Sequence, residues 1–183
     1  DLSQVTPRRY RRTEILWASP ECTWQSGAAG RRRDDQAQPA LFDPHHNHGH
    51  GGEGRRDRAT RELAERSRAT MFDVLRFAEY HRYDAIVVEN VVEAATLWLL
   101  WRSWLLGLHD LGYETRVVCA NSMHFPGVHT EKAPQSRDRL FAVFTKLTNP
   151  APDLDLRTPT YCSQCDEVVD GVQVFKEPTK AWP

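Results

Sequence analysis

Apolar residues fall in short, separated runs whose spacing changes along the chain. EILWA at 14–18 is a continuous apolar run and is expected to be a buried strand. From Arg58 to Tyr80 the apolar positions Leu63, Met71, Val74, Leu75 and Ala78 recur at helical spacing, which predicts an amphipathic helix. DAIVVEN at 84–90 predicts a second strand that ends in polar residues. Residues 92–110 predict a second helix, stopped near Gly112. Tyr113 to Ala120 and RLFAVFTK at 139–146 predict two further strands. Strands alternating with helices imply βαβ units, hence an α/β fold with a mostly parallel sheet. Such sheets gather reactive side chains beyond the carboxyl ends of their strands.

The runs are interrupted in two places. Residues 27–58 hold Gly, Pro, Arg, Asp and the tract HHNHGH (His45, His46, His48, His50), which reads as a long insertion. Its literal GxGxxG at Gly49, Gly51 and Gly54 lacks both the preceding strand and the directly following helix start that a dinucleotide turn needs. From Asn149 to Pro159 the chain is Pro-rich and leads into YCSQC. The expected organisation is a catalytic domain over 1–148 and a linker with a CxxC segment over 149–183.

Apolar residues make up 40% of the 183, enough for a packed core. The formal net charge of -1 excludes a uniformly basic nucleic-acid coat, although the first 70 residues are net basic and the rest net acidic. The most apolar stretch, Leu97 to Leu108, contains Arg102 and falls short of the ~20 residues a membrane span needs, so no membrane partner is expected. DLSQVTPRRYRR has no apolar signal core, and four cysteines with a single CxxC do not make a disulfide framework. A reducing cytoplasm is the expected compartment.

Candidate chemistry lies at the edges of the strands. Cys22 follows the first strand in SPECTW, after Pro20, where a thiol with a lowered pKa could be a nucleophile; a small buried hydrophobe is the plainer alternative. Glu89 and Asn90 close the second strand, and a carboxylate there could donate a proton or simply face solvent. In APQSRDRLF, Gln135, Arg137 and Arg139 alternate onto one face, suggesting an anionic or carbonyl partner or a solvated edge. Cys119 sits inside an apolar strand and is expected to be inert. Trp98, Trp101 and Trp104 form a stripe expected to pack against the sheet, and Trp24 stands two residues past Cys22.

Taken together, SPECTWQS, ENV at 89–91 and QSRDR at 135–139 resemble, in order and in strand context, the motifs of the C5-cytosine DNA methyltransferases. The resemblance covers roughly residues 14–146. It implies a Rossmann-like class I methyltransferase sheet with flanking helices, S-adenosylmethionine as methyl donor, and double-stranded DNA with a flipped cytosine as partner. It implies that Cys22 adds to C6 of the ring, that Glu89 contacts N3 and the exocyclic amine, and that Arg139, with Arg137, holds the O2 edge. Pro20, Asn90 and Gln135 would order the site. The chain departs from the family pattern at Glu21, where a second Pro is usual, and at Thr23, where Gln is usual. Only 13 residues precede the first strand, so the donor-binding turn is not in evidence and the chain is expected to be a fragment or a divergent half.

Cys162 and Cys165 read as one knuckle of a zinc ribbon, with two ligands of the four that structural zinc takes; two free thiols in a loop are the alternative. Two other functions remain open. One is a catalytically incomplete nucleic-acid-binding module. The other is a zinc-dependent nucleobase deaminase, for which His129-Thr130-Glu131 and the CxxC are a formal match that leaves Cys22, ENV and QSRDR unexplained.

Overall fold

A computed structural model describes residues 4–21, 53–125, 129 and 131–172, except the side chains of 53–65 and 68. Cys22, Trp24, the tract His45–His50 and most of the insertion read over 27–58 lie outside the described residues. The end of that insertion, from Glu53, belongs to the first helix. The elements run β1 (Ile15–Ala18), α1 (Glu53–His81), β2 (Ala85–Asn90), α2 (Glu93–Thr96), α3 (Trp101–Asp110), β3 (Tyr113–Asn121), β4 (Asp138–Lys146), β5 (Arg157–Cys162) and β6 (Glu167–Val172), after a 3-10 turn at Pro7–Arg9.

The fold is mixed α/β. Four strands form one sheet in the order β1-β2-β4-β3. β1 pairs with β2 in parallel, while β4 runs antiparallel to both β2 and β3. The expectation of a mostly parallel sheet is therefore corrected. β1, β2 and β3 share one direction because helices carry the chain back between them. The connection from β3 to β4 contains no helix among its described residues, and the chain re-enters the sheet reversed, Asn121 pairing with Asp138. The consequence for function is geometric: the carboxyl ends of β1, β2 and β3 and the amino end of β4 meet at one edge.

α1 and α3 cover one face of this sheet. Met71, Val74 and Ala78 of α1 and Trp104 and Leu108 of α3 bury against Ile86, Val88, Leu140, Ala142 and Phe144. Trp104 is fully buried, stacks on Trp101 at 5.2 Å and meets Phe144 edge-on at 5.3 Å. Its indole N–H donates to the Met71 carbonyl at 2.8 Å. The tryptophan stripe is thus core packing, as its spacing suggests. Gly107 sets the approach of the two helices, since a Cβ there would stand 3.0 Å from Leu75. The single helix expected over 92–110 is instead α2 and α3 with a break at 97–100. Apolar residues ring this stretch, and a straight helix can bury only one face. The break lets Trp98 turn in against Phe72, at 5.7 Å, while Leu99 stays exposed.

The opposite face of the sheet is only partly covered. β1 is an edge strand, with Ile15 59% and Trp17 62% exposed, not the buried strand its composition suggests. The β5–β6 pair forms a separate antiparallel hairpin. It touches the rest through Thr158 Oγ1, which donates to the His124 carbonyl at 2.7 Å, and its linker is held by Arg116 donating to the Pro152 carbonyl at 2.9 Å. Among the described residues no helix is long and apolar enough to cross a membrane.

Candidate functional site at the sheet edge

At the edge where four strand ends meet, Glu89 and Arg139 form an ion pair, Nε to Oε1 at 2.8 Å. Register explains the meeting: Glu89 stands opposite Phe141, two residues along β4 from Arg139, so the two long side chains share the less covered face. Each side chain is 23% exposed, neither sealed in the core nor freely solvated. Arg139 also donates from Nη1 to the Asp138 carbonyl at 2.7 Å, which fixes the guanidinium plane.

Asn90 faces the other way, into the core, and is buried. Its Oδ1 accepts the Val91 N–H at 2.8 Å, and its Nδ2 donates to the Pro20 carbonyl at 3.4 Å and to the Met71 sulfur at 3.5 Å. The loop after β1 is therefore tied to the end of β2. α1 supplies a second tether. The Glu21 N–H donates to Thr70 Oγ1 at 3.2 Å, and Ser67 Oγ donates to the Glu21 carbonyl at 3.4 Å. Pro20 and Glu21 are thereby held from two sides, immediately before Cys22.

Arg137 is exposed and lies just before β4; its N–H donates to Asn121 Oδ1 at 3.2 Å. Gln135 is also exposed, and its carbonyl accepts from Ser122 Oγ at 3.1 Å. Of the two arginines, Arg139 makes the ion pair with Glu89. Asn121 organises this side of the edge, bonding Ser136 and Asp138 through Nδ2, each at 2.8 Å. Neither Asn121 nor the Ser67–Thr70 pair stands out in the sequence. The one available signal is a pair of small hydroxyl residues one turn apart on a helix otherwise read for its apolar stripe.

Cys119 is buried against Leu140, and burial, with the Asp138 carboxylate a lesser cause, pushes its thiol from 9.0 up to about 11. Burial thus disfavours the thiolate, the reactive form, at this position in the strand. Cys162 is the opposite case. The Cys165 N–H, the Cys165 side chain and the Gln164 N–H all hydrogen-bond its sulfur, and they hold its thiol below the usual value of 9.0. Among the described residues no three of His, Cys, Asp and Glu gather as a metal-holding group.

No protein-family model matches this chain, and no curated protein matches it.

Proposed function

We propose that the protein is a DNA (cytosine-5)-methyltransferase. The observation that carries this reading is the Glu89–Arg139 pair standing at the strand edge to which Asn90 and Thr70 tether the residues before Cys22. Carbon 5 of cytosine is a poor nucleophile until something adds to C6. In this reading the Cys22 thiolate adds there, and the charge delivered to N3 is met by Glu89, which also takes the exocyclic amine. Arg139 donates to the O2 oxygen. Because Glu89 and Arg139 already fix one another, a base entering the site meets a carboxyl group and a guanidinium donor whose separation is set beforehand. C5 would then take the methyl group from the sulfonium donor, which leaves as a neutral thioether; a base, water included, would take the C5 proton as the C6–S bond breaks and the cysteine leaves as a thiolate. S-adenosylmethionine supplies the electrophilic methyl group, and no residue described above is assigned to it. A Rossmann-like methyltransferase sheet belongs to the same proposal, supported by the shared direction of β1, β2 and β3.

The test is covalent trapping. With S-adenosylmethionine present, an oligonucleotide carrying 5-fluorocytosine blocks proton loss and should leave the full-length protein attached to DNA. Cys22→Ala should abolish the adduct. Absence of an adduct with the unaltered protein rejects the reading, and DNA binding without an adduct favours the incomplete nucleic-acid-binding module instead.

A further inference from the structure

The chain before β1 carries four arginines in PRRYRR at 7–12, and the fold holds this segment as a strap against the end of α1. Arg76 Nη1 donates to the Val5 carbonyl at 2.6 Å, and the buried His81 meets the Pro7 carbonyl through Nε2 at 3.0 Å. Pro7 is itself buried, and the Tyr10 ring tilts against Phe77 at 5.9 Å. Arg12 donates from Nε to the His81 carbonyl at 3.0 Å and pairs with Asp84 at 3.2 Å. Arg12 is thereby explained, since it meets the carbonyl end of a helix, where a cation is favoured. Arg8, Arg9 and Arg11 are not. All three are exposed, and among the described residues none of their guanidiniums has a hydrogen bond or a carboxylate partner. Asp84 is already engaged by Arg12 and Lys146. Glu14 and Glu79 are exposed close by in sequence, but Arg82 is exposed there too, so cations remain in excess.

We propose that Arg8, Arg9 and Arg11 are a contact surface for the phosphate backbone of a nucleic-acid duplex. A guanidinium presents a planar fork of donors that matches phosphate oxygens. The strap is pinned at its backbone while these three side chains are left without partners, so little backbone order is lost when a polyanion binds. A lipid surface fits less well. A segment that lies on a membrane inserts apolar side chains beside its cations. Here Pro7 is buried and the Tyr10 ring is engaged by Phe77. α1 relates the strap to the candidate site. Thr70, which holds the Glu21 N–H, and His81, which holds Pro7, are about 16 Å apart along the helix. At about 3.4 Å per step that distance spans roughly five base pairs. A duplex with one base at the sheet edge therefore has backbone within reach of the strap. That placement rests on the methyltransferase reading; the phosphate contact itself does not.

Binding of the full-length protein to a mixed-sequence DNA duplex, followed by fluorescence anisotropy across a range of salt concentrations, tests it. Each arginine on a phosphate adds about 0.9 to the steepness of log affinity against log salt. Arg8→Gln, Arg9→Gln and Arg11→Gln combined should therefore flatten that slope by about 2–3. The helical circular dichroism should stay unchanged, because these guanidiniums bond to nothing among the described residues. Arg8→Lys, Arg9→Lys and Arg11→Lys combined keep the charge and should keep most of the slope. An unchanged slope when the charges are removed, equal flattening when they are kept, or no binding of the duplex by the unaltered protein would each overturn the proposal. So would binding to anionic phospholipid vesicles that the charge-removed variant loses while its duplex binding persists. The slope is read without any chemistry at Cys22. A missing 5-fluorocytosine adduct would thus reject the methyltransferase reading and leave the phosphate contact standing, whereas an adduct with an unchanged slope would do the reverse.

Discussion

An ion pair at a strand end can be a clamp that holds two strands, or a preset pair of groups waiting for a ligand. Glu89 and Arg139 are separable on this point by magnitude. As a clamp, a pair that water still reaches contributes roughly 0.2–1 kcal/mol. Under the proposed methyltransferase function, a proton-handling Glu89 is worth far more to the reaction. Glu89→Gln should therefore lower the methyl-transfer rate by about 10²–10⁴-fold, the usual range for losing a general acid, while the urea midpoint shifts by no more than the clamp explains. Wild-type turnover in the variant would leave Glu89 a clamp only. Thr70 is a positioning residue in the same reading, acting through the Glu21 backbone. Thr70→Val keeps its shape and removes the acceptor. Adduct formation should slow by roughly 10–100-fold, as for a misplaced nucleophile, with DNA affinity unchanged. A loss of affinity equal to the loss of rate would point to a general loosening of α1 instead. Glu89 and Arg139 are legible in the sequence because they interrupt or border apolar runs where a strand should end. Ser67, Thr70 and Asn121 are not, because a single hydroxyl or amide inside a regular element carries no mark of the loop that it will hold.

At the scale of elements, period and length foretell α1 and the four strands of the main sheet closely, because each buries a face whose repeat is written in the sequence. Three features escape. The reversed direction of β4 depends on the connection from Asn121, whose amide bonds the loop that delivers the strand. The break between α2 and α3 has no Gly or Pro to announce it, in a stretch where apolar residues surround the helix axis and no single face is marked for burial. The β5–β6 hairpin buries little and carries Pro159 within a strand, so it has neither the alternation nor the composition that normally signals pairing. The packing of α3 makes a direct prediction. Trp104 bridges α1, α3 and the sheet, so Trp104→Ala should cost about 3–5 kcal/mol, the range for emptying a large aromatic site. Trp104→Phe retains part of the ring contact with Phe144 and loses the indole bond to Met71, and should lie well below that cost. Equal thermal midpoints for Trp104→Phe and Trp104→Ala would mean that the hydrogen bond, not ring packing, holds the helices to the sheet.

At the scale of the whole molecule, a few ionisable groups set how stability depends on pH. On the acid side, Asp84 joins β1, β2 and β4: its carboxylate accepts from Lys146 at 2.6 Å and from Arg12 at 3.2 Å. The Lys146 hydrogen bond is the largest cause holding Asp84 below the ordinary 3.8, with the Lys146 and Arg12 charges adding to it. Asp153 is lowered likewise, first by the Asp155 N–H and then by Arg157. The folded chain resists protonation at these groups more than the unfolded chain does, so their contribution is present above 3.8 and is lost as pH falls through the lowered values. On the basic side the sign reverses. Cys119, shifted from 9.0 to about 11, keeps a proton in the folded state that the unfolded chain gives up. Burial raises Tyr83 and Tyr113 above 10.0 as well, and the Tyr113 hydroxyl donates to the Tyr83 carbonyl at 2.7 Å, a bond that ionisation would remove. Stability should fall at the acid end and again above about pH 9, as unfolding comes to be coupled to proton uptake in acid and proton release in base. Cys119 accounts for the first part of the basic limb, on the order of 1–2 kcal/mol between pH 9 and 11. Urea midpoints followed across that interval should therefore decline in the unaltered protein. In Cys119→Ala they start lower, because the side chain is truncated in the core, but stay level until the tyrosines titrate above pH 10. Parallel declines in the two proteins from pH 9 onward would show that the thiol is not the group whose burial governs the alkaline limb.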